Sequence, residues 1–257
     1  AWCAEFQTFV VLAIGLTIGM AGLGAIDDLL KCRRRCGLTR RQKLFGQICI
    51  ATPIAVVFES TLADGSPWSA AWIVFVIVGS SNAVNLTDGL DGLAAGCCLW
   101  ATAALGGIAL LAHAADDVLV LAAALDGSLL AFFLFNRHPA RIFMGDTGSL
   151  AIGALLGYLA IGLEREWVWL LVGGVFVAEA VSVIAQIAAF RFTGRRVLRC
   201  APLHHHFQFL GWPETRVVRM LWAWAALCAV LGLLITASII ERPLAWQRLA
   251  LARSTCR

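Results

Sequence analysis

"SNAVNLTDGLDGLAAG", residues 81–96, lies between two apolar runs, "WSAAWIVFVIVG" at 68–79 and "LAAGCCLWATAALGGIALLA" at 93–112. Both runs are continuous, without the alternation of a half-buried strand, and read as helices. The segment between them carries Asp88 and Asp91 three residues apart, with Asn82 and Asn85 just before them. An ionised carboxylate at the centre of a spanning helix costs roughly 2.5–3.5 kcal/mol on insertion scales. The acids therefore belong at a helix end, where water or a bound cation offsets that cost.

Working outward, the whole chain repeats this pattern. It is 60% hydrophobic and 14% charged, with ten Trp, and its mean hydropathy is +0.83. Those values place it among membrane proteins rather than soluble domains. About 20 apolar residues are needed to cross a bilayer at about 1.5 Å rise per residue. Eight segments meet that template: 4–26, 44–62, 68–83, 92–112, 118–135, 147–163, 167–190 and 217–240. The spans at 68–83 and 147–163 are short. The predicted fold class is all-α, a polytopic integral membrane helical bundle of about eight transmembrane helices. Barrel strands are excluded because the runs do not alternate. Residues 1–257 read as one membrane domain without repeat or linker. The first run has no basic leader or cleavage site, which argues against a signal peptide. The chain starts at Ala1 rather than Met, as expected of a processed chain or a fragment.

Basic residues set the orientation. Segments 27–43, 136–146 and 191–216 hold fourteen of the twenty Lys and Arg, whereas 63–67 and 113–117 hold none. The first three segments are therefore expected on the cytoplasmic side and the 241–257 tail outside, although that tail carries four Arg. The net charge of +4 reads as a topology signal and calls for no nucleic-acid partner. The nine Cys are scattered, and Cys32 and Cys36, a C-x3-C pair with no His or second pair beside it, read as small apolar filler rather than a metal site.

That topology puts four polar islands on one face: Asp27–Asp28 with Lys31 and Lys43, the 81–96 segment, "FNRHPARIFMGDTGS" around Asp146, and "APLHHHFQ" with His204, His205 and His206. Each has a plain structural alternative. "IDDLLK" can be an ordinary helix exit, Asp88 and Asp91 can cap the next helix, and Asp146 can open a capped helix. Capping explains one Asp well but leaves the second acid and its Asn neighbours over. Three successive His cannot share one surface, so at least one reads as functional. A zinc site is disfavoured without thiolates or regular spacing. Asp126 and Glu179 fall inside spans. Ser182 and Gln186 at helical offsets are within reach of hydrogen bonds to Glu179, a structural polar contact is the favoured reading for both acids, and a transporter built on them is the competing functional class.

Carboxylates without a dedicated cage suit Mg²⁺, which keeps waters and binds one or two acids plus substrate phosphates. Lys31, Lys43 and Arg add positive charge for phosphate oxygens. The residues thus point to Mg²⁺-assisted phosphoryl-group transfer at the membrane edge, to or from a lipid.

"GAIDDLLK", "SNAVNLTDGLDGLAAG", "FMGDTGSLAIG" and "APLHHHFQFLGWPE" resemble, in order along nearly the whole chain, the signatures of the phospho-N-acetylmuramoyl-pentapeptide transferase family. That family sits within the polyprenyl-phosphate N-acetylhexosamine-1-phosphate transferases, and the "PLHHHF" element favours this branch. The resemblance implies transfer of phospho-MurNAc-pentapeptide from UDP-MurNAc-pentapeptide to undecaprenyl phosphate, giving lipid I and UMP. It implies a multi-pass protein of the bacterial cytoplasmic (inner) membrane with a cytoplasmic active site, and it is compatible with a homodimer. Carried over by residue, Asp27 and Asp28 match the essential acidic pair and Asp146 the magnesium-binding Asp. Asp88 and Lys43 join the catalytic set. Asp91 and Phe143 resemble uracil-contacting positions, and Lys31, Asn85, Asn136, His204, His205 and His206 line up as substrate-binding. An aromatic face at Phe143 suits stacking on a base.

Family members have about ten helices, two of them before the first span here, so the chain is expected to be amino-terminally truncated relative to the family. Gln208 stands where the family often has Glu. A relative using another UDP-sugar, and a catalytically dead remnant, are the remaining alternatives.

Overall fold

The computed structural model describes residues 2–63, 65–112 and 116–239. These form α1 (Trp2–Arg34), α2 (Arg40–Leu62), α3 (Pro67–Thr87), α4 (Leu93–Leu111), α5 (Asp116–Asn136), α6 (Gly145–Gly162), α7 (Glu166–Val172), α8 (Gly174–Thr193), α9 (Leu203–Phe209) and α10 (Glu214–Ile239). The fold is an all-helical membrane bundle, as expected. Seven of the helices are long and apolar enough to span a bilayer. The tail at 241–257 lies outside the described residues.

The eighth expected span, 147–163, is α6, which is 18 residues long and buried along most of its length. It opens on Asp146, Thr147 and Ser149, which dilute its apolar character. It does not face lipid but sits inside the bundle, packed between α1 and α3. The expected span 167–190 is two helices, α7 and α8, broken at Gly173.

Two boundaries moved for a reason that matters to the site. The first span was expected to end at 26, but α1 continues to Arg34. Lys31, Arg33 and Arg34 in its last turn meet the negative end of the helix dipole, and that extension carries Asp27, Asp28 and Lys31 as side chains of one helix. The second span was expected from 44, but α2 starts at Arg40 behind a capping box. Thr39 Oγ1 accepts from the Gln42 N–H, and Gln42 Oε1 accepts from the Thr39 N–H at 3.0 Å.

Lipid tails are as apolar as leucine, so helices here associate by close packing and internal hydrogen bonds rather than by escape from water. Tyr158 on α6 is fully buried and donates to the Phe9 carbonyl at 3.1 Å, with the two rings 4.7 Å apart. Ser81 on α3 donates to the Leu150 carbonyl of α6 at 2.9 Å. Gly24 lets α1 meet α6 backbone to backbone, because a Cβ there would lie 2.2 Å from the Asp146 carbonyl oxygen. On the end opposite the acids, Trp68 and Trp167 are exposed and Trp72 packs 6.0 Å from Trp167, as at a membrane–water interface.

Candidate functional site

α1, α2, α3 and α6 bring their polar residues to one end of the bundle. Asp27, Asp28 and Asp146 offer carboxylate oxygens that all lie within 4.8 Å of one another. Residues more than a hundred positions apart in the chain thus form one cluster. The Lys31 ammonium touches all three acids, at 2.8 Å from Asp27 Oδ2, 3.5 Å from Asp28 Oδ1 and 2.8 Å from Asp146 Oδ2. Lys43 reaches in from α2, 3.0 Å from Asp27 Oδ2, and also pairs with Asp146 Oδ2. Asn85 on α3 donates to Asp146 Oδ1 at 2.7 Å and lies 2.8 Å from the Ser149 hydroxyl.

The acids are held differently. Asp28 accepts from the Thr147 N–H at 3.0 Å, the Thr147 hydroxyl at 2.7 Å and the Asp146 N–H at 3.3 Å. It therefore caps α6 from a different helix, where the N-cap residue Met144 supplies no side-chain bond. Asp146 does not cap its own helix, so its carboxylate stays available to the cluster. Asp27 is 1% exposed, and the Leu38 N–H donates to its Oδ1. Its Oδ2 is buried, and the two ammonium groups beside it are not aligned as hydrogen-bond donors.

These residues fit a divalent cation. The three carboxylates converge, one buried oxygen lacks a directed donor, and an ammonium already sits among them as a cation would. Three acids face two lysines, which leaves a negative balance that favours a cation. Hard oxygen ligands without thiolate or imidazole suit a hard cation.

Asp88 is the C-cap residue of α3, not a cap of α4, whose N-cap is Gly92 in the left-handed region. Burial, and then the charges of Asp146 and Asp28, push its carboxyl from 3.8 up to about 6. Asp91 does not cap α4 either. Its Oδ2 accepts from the Ala140 N–H at 3.0 Å and lies 3.1 Å from His138 Nδ1, and its own N–H donates to Glu214 Oε1 at 2.9 Å. It ties the 81–96 segment to the α5–α6 loop and to α10. Asn136 is buried and donates to the Ile142 carbonyl at 2.9 Å, holding the same loop. That loop presents Phe143, 76% exposed. Asp91, Asn136 and Phe143 thus form a second group beside the acid cluster.

The three histidines divide on α9. His204 is 1% exposed, His205 Nδ1 lies 2.8 Å from Gln208 Oε1, and His206 Nδ1 accepts from the Arg199 N–H at 3.2 Å. Of the two partners expected for Glu179, Ser182 bonds it, at the backbone rather than the carboxylate, and Gln186 does not. Ser182 donates to the Glu179 backbone carbonyl, and Gln186 turns to the backbone of Val197 and Leu198. The Glu179 carboxylate instead accepts from the His204 N–H, at 3.2 and 3.3 Å. Sequence reading missed this partnership, as it missed His138 and Glu214 around Asp91, since the partners lie 25 to 123 positions apart.

Residues 10–164 match the family model described as glycosyl transferase family 4. The phospho-N-acetylmuramoyl-pentapeptide-transferase of Geobacillus kaustophilus is 45% identical over 249 residues, covering 90% of this chain and 76% of that protein. That of Moorella thermoacetica is 47% identical over 234 residues, covering 85% and 73%. That of Bacillus subtilis is 43% identical over 249 residues, covering 90% and 76%.

Proposed function

From the premise that this chain belongs to the phospho-N-acetylmuramoyl-pentapeptide-transferase family, we propose that its chemistry is carried by the Asp27–Asp28–Asp146 cluster with Lys31, Lys43, Asn85 and Asp88. The reaction is lipid I formation in peptidoglycan synthesis, by a multi-pass membrane protein. The substrates are UDP-MurNAc-pentapeptide and undecaprenyl phosphate, and UMP is the second product. The site works at the cytoplasmic face of the bacterial inner membrane, where the soluble donor and the lipid acceptor meet, and 1–257 serve as one membrane domain.

The observation that carries this reading is the Lys31 ammonium standing among three carboxylates at a helix end. Asp27 and Asp146 would hold Mg²⁺, with Asp28 at its side. When bound, Mg²⁺ supplies Lewis-acid stabilisation to the phosphate oxygens of the donor. Lys31 and Lys43, moved off the carboxylates, place their charge on phosphate oxygens of donor and lipid. Asp28, committed to the α6 N-terminus, fixes the angle at which α1 meets α6. Phe143, Asp91 and the histidines bind the nucleotide-sugar.

One displacement suffices. A phosphate monoester has its second pKa near about 6, so at pH 7 the lipid phosphate is largely the dianion. Its oxygen attacks the phosphorus bonded to the sugar, that phosphorus releases the oxygen of UMP, and no protein group need be a nucleophile. UMP release should require undecaprenyl phosphate and Mg²⁺ together. A burst of UMP equal to the enzyme present, without lipid phosphate, would mark a covalent enzyme intermediate and overturn the one-step scheme.

A further inference from the structure

His204 is buried with neither ring nitrogen in a hydrogen bond. A buried imidazole left this way calls for a cause. Nδ1 faces Glu179, whose Oε2 lies 3.2 Å away but off the line of a hydrogen bond. Glu179 is 0% exposed, and among the described residues the His204 ring is the ion-pair partner found for it. The opposite nitrogen, Nε2, points at Gly89, where a Cβ would lie 2.3 Å from it. Gly89 sits between Asp88 and Asp91, in the segment that links the acid cluster to the α5–α6 loop. The two neighbouring histidines are tied up locally by Gln208 and Arg199.

We infer that Glu179 is the positioning residue of His204, holding Nδ1–H so that the buried Nε2 edge of the ring is fixed against Gly89 and braces the Asp88–Asp91 turn on which the nucleotide-sugar binds. This rests on the transferase reading above. A carboxylate behind an imidazole fixes the tautomer and ring orientation by engaging one N–H, which here sets how the opposite edge of the ring meets the turn at Gly89. Glu179 already holds the His204 backbone through both oxygens, so a small turn of the ring completes the contact. The glycine at 89 is what lets the ring approach, since any side chain there would meet Nε2. Glu179 comes from the second turn of α8 and is fully buried, and therefore acts through His204 rather than on substrate.

The test is a double-mutant cycle on UMP release, with ring-nitrogen NMR on histidine-labelled protein. Glu179→Gln should lower kcat about 10-fold or more, while adding it to His204→Ala should cost nothing further. The His204 ¹⁵N shifts should show Nδ1 protonated in the full chain and should move in Glu179→Gln. If Glu179→Gln fails to fold in detergent, Glu179→Asp, which withdraws the carboxylate by one methylene, is read the same way. Additive losses in the cycle, or His204 shifts indifferent to Glu179, would overturn the proposal. A wild type that releases no UMP would instead break the transferase reading, and the NMR shifts would still decide the Glu179–His204 pairing.

Discussion

The acid–lysine cluster and the histidine helix occupy the same end of the bundle yet solve opposite problems. In the first, acids, lysines and Asn85 from four helices pair with one another around a buried Asp27 Oδ2 that lacks a directed donor, and Lys31 alone touches Asp27, Asp28 and Asp146. In the second, three identical residues in a row meet three different fates, because α9 buries one side of itself and leaves the others at loops. His204 is buried against Glu179, while His205 and His206 pair within or beside α9. The cluster is thus a charge network shared between helices, and the histidine helix is three side chains with separate local surroundings. Residue type alone therefore does not set a side chain's role; its contacts across the bundle do.

The largest break in this comparison should come from Asp146→Asn. Removing the charge at the centre of the cluster is expected to lower Mg²⁺-dependent UMP release by ~10²-fold or more, with the protein still folded in detergent. Turnover near wild type would remove Asp146 from the metal assignment. Mutating the scaffold should hurt stability instead. Gly24→Ala would put a methyl against the Asp146 backbone, and a drop of ~1–3 kcal/mol in unfolding free energy is expected, together with weaker Mg²⁺ binding as α1 shifts from α6. Unchanged thermal unfolding would show that the contact yields freely.

On the histidine side, His204→Ala should lower turnover about 10-fold or more, while His205→Ala and His206→Ala should each cost less. Equal losses from all three would erase the division between the buried ring and the other two.

The smallest effect expected is one of pH. Asp88 titrates near 6 in the folded protein, raised from 3.8. A raised carboxyl pKa favours the folded state fully below 3.8, and that contribution is lost as pH rises through about 6. A cation among the neighbouring acids favours the ionised form, so its binding releases the proton. Calorimetric Mg²⁺ affinity should therefore fall as pH drops through about 6, and Asp88→Asn should flatten that dependence. An identical pH profile in wild type and variant would detach Asp88 from the cluster.

Much of this was legible in advance because membranes make composition speak loudly. Continuous apolar runs of near-bilayer length can only be helices, since every backbone group must be satisfied internally. The same rule exposes the exceptions: "IDDLLK", "NLTDGLDG", "MGDTGS" and "LHHHF" stand out because polar residues are scarce elsewhere. What was not legible was pairing. Asp28 caps a helix 118 residues away, and the Glu179 carboxylate, read with Ser182 and Gln186 along its own helix, is met by His204 from another. Helical offsets report neighbours on one helix and nothing about the helix opposite.

The amino-acid sequence by itself determined the helical membrane class, the side on which the polar residues gather and the family, because these follow from local composition and from ordered motifs. Only the tertiary structure decided which acid is spent on capping, which are left for a cation, and which of three histidines faces a carboxylate. Those outcomes depend on how closely α1 approaches α6 and on how α9 lies against α8, and such distances are set by the packing of small residues between helices.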